Sequence, residues 1–92
     1  MRISFTPEHD CVFDRDAVAF RATVDGNNLL CLVSLEALKD NLGNAPHEEP
    51  FVRHRLVIEG AARRLIQAGQ VANGEVLIGS QQLRYAMSDD AT

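Results

Sequence analysis

The chain has no tryptophan, one tyrosine and four phenylalanines, which leaves few rings for stacking on nucleic-acid bases. It has two cysteines, Cys11 and Cys31, in different segments and with no secretory leader before them. That usage does not suit a disulfide scaffold, and both thiols are expected free in a reducing compartment. No apolar run approaches the ~20 residues that a helix needs to cross a bilayer. Met1 is followed at once by strand-like Ile3-Ser4-Phe5 rather than by a basic leader and an apolar stretch, so the expectation is a cytoplasmic protein without membrane association. Neither a GxxxxGK[ST] nor a GxGxxG string occurs, and the histidine spacing matches neither HExxH nor a Cys/His zinc pattern. No cofactor and no metal is therefore expected.

What is present is ordinary globular composition, 46% hydrophobic and 24% charged, in 92 residues, enough for one core and too few for two. The expectation is one domain over residues 1–87 and a disordered tail over 88–92.

Residues 3–5 read as a short strand, after which Thr6-Pro7-Glu8-His9-Asp10 breaks the pattern. Residues 16–24 then alternate, with Val18, Phe20, Ala22 and Val24 on a core face and Ala17, Ala19, Arg21 and Thr23 on the other. Asp25-Gly26-Asn27-Asn28 supplies a hairpin turn, and residues 29–33 return as the partner strand. That strand is apolar on both faces, which predicts either cover on each side or an exposed face awaiting a partner. Ser34 is placed to cap a helix over residues 35–42, ended by Gly43. After a loop over residues 44–49, Pro50 opens a second helix to about residue 68 with Gly69 as its stop. Its apolar stripe is Phe51, Ile58, Ala62, Leu65 and Ile66. Residues 75–78 read as a last strand, and residues 80–83 as one helical turn. The fold class is thus α+β, a small and mostly antiparallel sheet packed with two helices.

The order and spacing of several pieces resemble a bacterial family known as domain of unknown function 1488. The pieces are Ile3-Ser4-Phe5, Val18-Ala19-Phe20, Val24-Asp25-Gly26, Cys31 and Ser34-Leu35-Glu36-Ala37-Leu38. They continue with Phe51, His54-Arg55, Ile58-Glu59, Ala62, Ile66 and Gly74-Glu75-Val76-Leu77-Ile78. The resemblance spans most of residues 3–83 and departs in the loop over 44–49. It implies a small α+β fold with an antiparallel sheet and two helices, and it implies no activity.

The total charge of −4 is unevenly spread. Residues 50–70 carry Arg53, Arg55, Arg63 and Arg64 against Glu59, a net +3, which leaves −7 on the remainder of the −4 chain. Arg55 falls inside the apolar stripe, where a charge is costly unless it is paired. One reading stretches it to an acid at the sheet edge, with Asp14, Asp16 and Asp25 as candidates; the other makes its planar fork an anchor for an anion. Arg53, Arg63 and Arg64, with His54 on the flank, read either as a solvated helix face or as a basic binding surface.

Three function classes follow. The favoured one is a non-enzymatic interaction or regulatory module that uses the arginine-bearing helix over residues 50–68 to bind an acidic protein surface or its own copy, so a homodimer is one expectation. The second is RNA or nucleotide-phosphate binding through Arg53, Arg63 and Arg64, disfavoured by the pI of 5.2 and the shortage of rings. The third is a small thiol- or histidine-dependent enzyme. His9, Asp10 and Cys11 are candidates, but neighbours in sequence seldom meet the geometry of a nucleophile and its base. Metal binding by His47, Glu48 and His54 is equally poorly supported by spacing. The balance is against an enzyme.

Overall fold

Asp25 and Gly26 take positive φ angles of 50° and 88°, the geometry of a two-residue type I′ turn whose twist suits the strands it joins. Gly26 meets no steric penalty there, and Asp25 is among the residue types that tolerate it. This turn fixes the register of β2 (Ala17–Val24) on β3 (Asn27–Ser34), from Val24 opposite Asn27 to Ala17 opposite Ser34. The hairpin is tighter than the sequence suggested, because Asn27 and Asn28 already belong to the strand. The computed structural model describes residues 2–43 and 48–90.

β1 (Ile3–Val12) pairs antiparallel with β2 and is longer than the three-residue strand expected. Pro7 does not end it. The ladder instead shifts register between Phe5, opposite Ala22, and His9, opposite Phe20, so β1 takes two more residues than β2 over the same span. Such a bulge lets a strand absorb a proline at a sheet edge. Because the excess is even, Phe5, His9 and Cys11 remain on the same side of the sheet.

Ser34 closes β3 and accepts a hydrogen bond at 2.9 Å from the Ala37 amide, capping α1 (Leu35–Leu42) as its side-chain chemistry predicts. The segment read as one long helix is two, α2 (Glu48–Arg53) and α3 (Arg55–Gln67), divided at His54 with φ −114° and ψ 29°. Phe51, Val52 and His54 are weak helix formers, and the Phe51 ring is fixed between His9 and Phe20 at centroid distances of 4.9 and 5.4 Å. Side-chain packing there outweighs an unbroken backbone ladder. Pro50 lies in the first turn of α2, where its missing amide costs nothing. Gly69, at φ 76°, ends α3: its amide bonds the Ile66 carbonyl and the Gln70 amide the Leu65 carbonyl, the paired closure of a Schellman motif. Of the expected loop, residues 44–47 lie outside the described residues, and residues 48 and 49 are already helical.

β4 (Glu75–Ile78) joins the sheet parallel to β3, giving the order β1-β2-β3-β4 with the other two pairings antiparallel. α4 (Ser80–Asp90) follows it. Where the sequence suggested a single turn to Leu83, the helical backbone continues to residue 90, into the span of the expected tail, because Leu83 and Ala86, one turn apart, both reach the core. Residues 91 and 92 of that tail lie outside the described residues. The fold is α+β, with a mostly antiparallel four-stranded sheet and four helices.

The core lies between the sheet and the helices. Val18, Phe20, Ala22, Cys31, Val33, Val76 and Ile78 come from the strands, and Ala37 and Leu38 of α1, Phe51 of α2, Ile58, Ala61, Ala62 and Ile66 of α3, and Leu83 and Ala86 of α4 cover them. All four helices therefore pack on one face. On the other face Ala17, Ala19 and Leu32 form a second apolar cluster with Val12 and Leu30, to which no helix contributes among the described residues.

Candidate functional site

Arg55, at the start of α3, is held from three sides. Its Nε donates to the Glu59 carboxylate at 2.8 Å, one turn along the same helix. Its terminal nitrogens donate to the carbonyls of Pro7, at 2.9 Å, and Thr6. These two carbonyls belong to the β1 bulge, where the register shift takes the strand out of its ladder, so the guanidinium supplies donors that the neighbouring strand does not. Its Cζ also sits 5.3 Å from the centroid of the Phe51 ring. Asp14, Asp16 and Asp25 are not its partners: the acid lies in its own helix, and the sheet-edge contact is to backbone oxygen. Arg55 is a clamp between α3 and the bulge, with each of its three nitrogens donating a hydrogen bond.

The other arginines fall into two kinds. Arg53 pairs with Glu49, one turn back in α2, at 2.8 Å, an exposed contact of the sort that contributes little. His54 marks the break between α2 and α3 and makes no side-chain cap there. Arg63 and Arg64, adjacent in α3, each lie against an aromatic ring: the Arg63 Cζ is 5.4 Å from the Phe5 centroid and the Arg64 Cζ 5.2 Å from that of Tyr85 on α4. Contact with a ring face orients a guanidinium. Arg64 and Tyr85 also border a groove of about 340 Å³ between α3 and α4, floored by Ala61, Leu65 and Ala68 and edged by Gln81 and Gln82. Tyr85 is 65% exposed. Sequence spacing offers no reason to place it beside Arg64, because Tyr85 lies beyond the helical turn expected over residues 80–83.

The uncovered sheet face carries a second feature that sequence spacing could not reveal. Arg15, in the 3-10 turn Phe13–Arg15, donates through both terminal nitrogens to the two carboxylate oxygens of Glu75, at 3.0 and 2.9 Å. The hydrogen bond and charge of Arg15 hold the Glu75 carboxyl below its ordinary value, against a smaller opposing effect of desolvation. Beneath and beside this bridge are Ala17, Leu32, Ser34 and Leu77, which line a hollow of about 270 Å³. A second hollow of about 390 Å³ includes Asp10, Val12, Ala19, Arg21 and Leu30.

The candidate nucleophiles and bases do not gather around one point. His9 and Cys11 face the helices while Asp10, between them, faces the other way. His9 packs against the Phe51 ring at 4.9 Å. Burial, with a further contribution from the Glu59 charge, pushes the Cys31 thiol up to about 12, so it is not a thiolate at neutral pH. Among the described residues no three His, Cys, Asp or Glu side chains are grouped to hold a metal ion, and His47 lies outside them. No helix among the described residues is long and apolar enough to cross a membrane.

No curated protein matches the chain. A crystal structure of a protein of unknown function from the DUF1488 family of Shewanella loihica PV-4 is similar in fold, with a TM-score of 0.75 and 22% identity over 85% of this chain and 94% of that one. The match of residues 3–78 to the family described as Protein of unknown function (DUF1488) agrees with the pieces from Ile3-Ser4-Phe5 to Gly74-Glu75-Val76-Leu77-Ile78, and the chain belongs to that family.

Proposed function

We propose that the protein is a non-enzymatic interaction module that presents Arg63 and Arg64 of α3 to an acidic segment of a protein partner. The observation that carries this reading is the seating of the two adjacent guanidinium groups on rings, Phe5 and Tyr85. Arg55 and Arg53 pair with Glu59 and Glu49 of their own helices. Of the five residues singled out in the basic segment, Arg53, His54, Arg55, Arg63 and Arg64, the last two suit binding best. The ring contacts limit the side-chain freedom that binding would otherwise remove. The groove beside Arg64, with amides at Gln81 and Gln82, offers hydrogen bonds to the backbone of a bound segment.

The test is a backbone NMR titration with a short polyglutamate peptide, and with a single-stranded oligonucleotide as the comparison polyanion. The reading expects saturable shifts around residues 61–68 and 81–85 with the peptide, weakened by salt and lost in R63E/R64E. Absence of peptide shifts at those residues contradicts it, as does a response to the oligonucleotide alone.

A further inference from the structure

We propose that the acidic segment received at Arg63 and Arg64 belongs to a second copy of this chain, docked antiparallel along the outer ridge of α2 and α3. This docking rests on the function proposed for the two arginines and supplies the identity of their partner. Helical phase carries through the break, since the His54 amide donates to the Pro50 carbonyl at 3.0 Å and the His54 carbonyl accepts the Ile58 amide at 3.1 Å. Phe51, Ile58 and Ala62 face the core. The opposite ridge therefore presents Glu49, Val52, Leu56, Gly60 and Arg63, all within about 40° of Leu56 at about 100° per residue.

Two features of this ridge have no purpose in the folded chain itself. Val52 and Leu56, one turn apart, are 57% and 84% exposed. Gly60, one turn further, lacks a positive φ, and a Cβ built on it meets nothing within 4 Å, so neither the backbone nor the packing requires a glycine there. A glycine inside a helix costs helix propensity, and what it offers in return is close approach by another group.

A two-fold axis at Leu56 accounts for both. It sets Leu56 against Leu56, Val52 level with Gly60 of the other copy and Glu49 level with Arg63 of the other copy, the last two contacts each made twice. That is the self-complementarity an isologous contact needs. Charge fixes the direction. Parallel copies would set Glu49 on Glu49 and Arg63 on Arg63, whereas in the antiparallel pair no two like charges fall level between residues 49 and 63, Arg53 falling level with Glu59. Within its own chain Arg53 takes the Glu49 Oε1, and a carboxylate has a second oxygen to offer. The contacts with Phe5 of β1 and Tyr85 of α4 draw Arg63 and Arg64 to the two flanks of the ridge, beside its apolar middle.

Sedimentation velocity on the full chain, up to about 1 mM, tests this, because a seam about 21 Å long makes a weak and reversible dimer. The expected result is a monomer–dimer equilibrium weakened at least about 10-fold by L56D, at a site exposed enough to tolerate the change, and weakened also by E49R or R63E alone. The double swap E49R/R63E restores it. Within one chain the two positions lie about 21 Å apart along the helices, so restoration reports contact between copies. A monomer at every concentration overturns the proposal, as does a dimer unaffected by L56D or a double swap no closer to wild type than its single variants. Polyglutamate titrated into L56D separates this result from the function it rests on. Shifts at residues 61–68 with a wild type that stays monomeric overturn the second copy alone, and absence of those shifts contradicts binding of an acidic segment at the arginines.

Discussion

Arg15 and Glu75, 60 residues apart in sequence, meet through two parallel hydrogen bonds of 3.0 and 2.9 Å and tie the β1–β2 connection to the opposite edge strand. The contact closes the sheet across its helix-free face. Two donors on one rigid fork and two acceptors on one carboxylate give the pair a defined orientation that a lysine in place of Arg15 would not reproduce.

The pair sets a pH dependence. The Glu75 carboxyl is held below its ordinary value of 4.5, so its contribution to stability is complete above pH 4.5 and is lost as pH falls through the lowered value. Thermal midpoints of wild type and E75Q measured from pH 7 downward should differ by a constant amount until about pH 4.5 and converge below it. A difference that persists unchanged at the lowest pH would show that the charge of Glu75 is not what the contact uses.

Cys31 should be protected by both burial and protonation. With its thiol pushed up to about 12, native protein at pH 8 should show Cys31 reacting with a thiol reagent only as fast as the chain opens, and a C11S variant isolates that rate. Rapid modification of Cys31 in folded C11S would contradict its placement in the core.

Ser34 offers a local test. Its hydroxyl accepts the Ala37 amide at 2.9 Å, so S34A should cost about 1 kcal/mol, seen as a fall in thermal midpoint of about 4–8 °C for a domain of this size. S34D, which keeps an acceptor at the cap, should recover most of the loss.

What could be read from the sequence follows from how local its causes are. The hairpin, the Ser34 cap and the Gly69 stop each depend on a few neighbouring residues, and each was legible. The continuation of β1 through Pro7 was not, because the support for its bulge comes from Arg55, 48 residues away. The stripe of Phe51, Ile58, Ala62 and Ile66 was correctly phased, yet the break at His54 depends on packing of Phe51 against His9 and Phe20, which belong to other strands. Arg55 stood out as a charge in an apolar stripe, but only the fold could say that its acid was Glu59. The double-sided apolar character of β3 was visible from the start; that its second face carries no helix depended on where all four helices pack.

The division of the basic segment into the Arg55 clamp and the ring-seated Arg63 and Arg64 also predicts which substitutions are tolerated. R63E/R64E should remain folded and lose less stability than R55L, because Arg63 is exposed and Arg64 half-buried and each gives up a ring contact of about 0.5–1 kcal/mol. Circular dichroism and a thermal scan would show this, and a collapse of the fold would place these arginines in the structural set.

The most direct measurement is the thermal midpoint of R55L beside that of R63E/R64E. Removal of Arg55 leaves the Glu59 carboxylate, 15% exposed, without its partner and two bulge carbonyls without donors, at a cost of about 2–3 kcal/mol. The account predicts a fall of about 8 °C or more for R55L and a smaller fall for R63E/R64E. An R55L protein that melts with wild type and has lost its response to the polyglutamate peptide would contradict it, making Arg55 the binding residue and the clamp incidental.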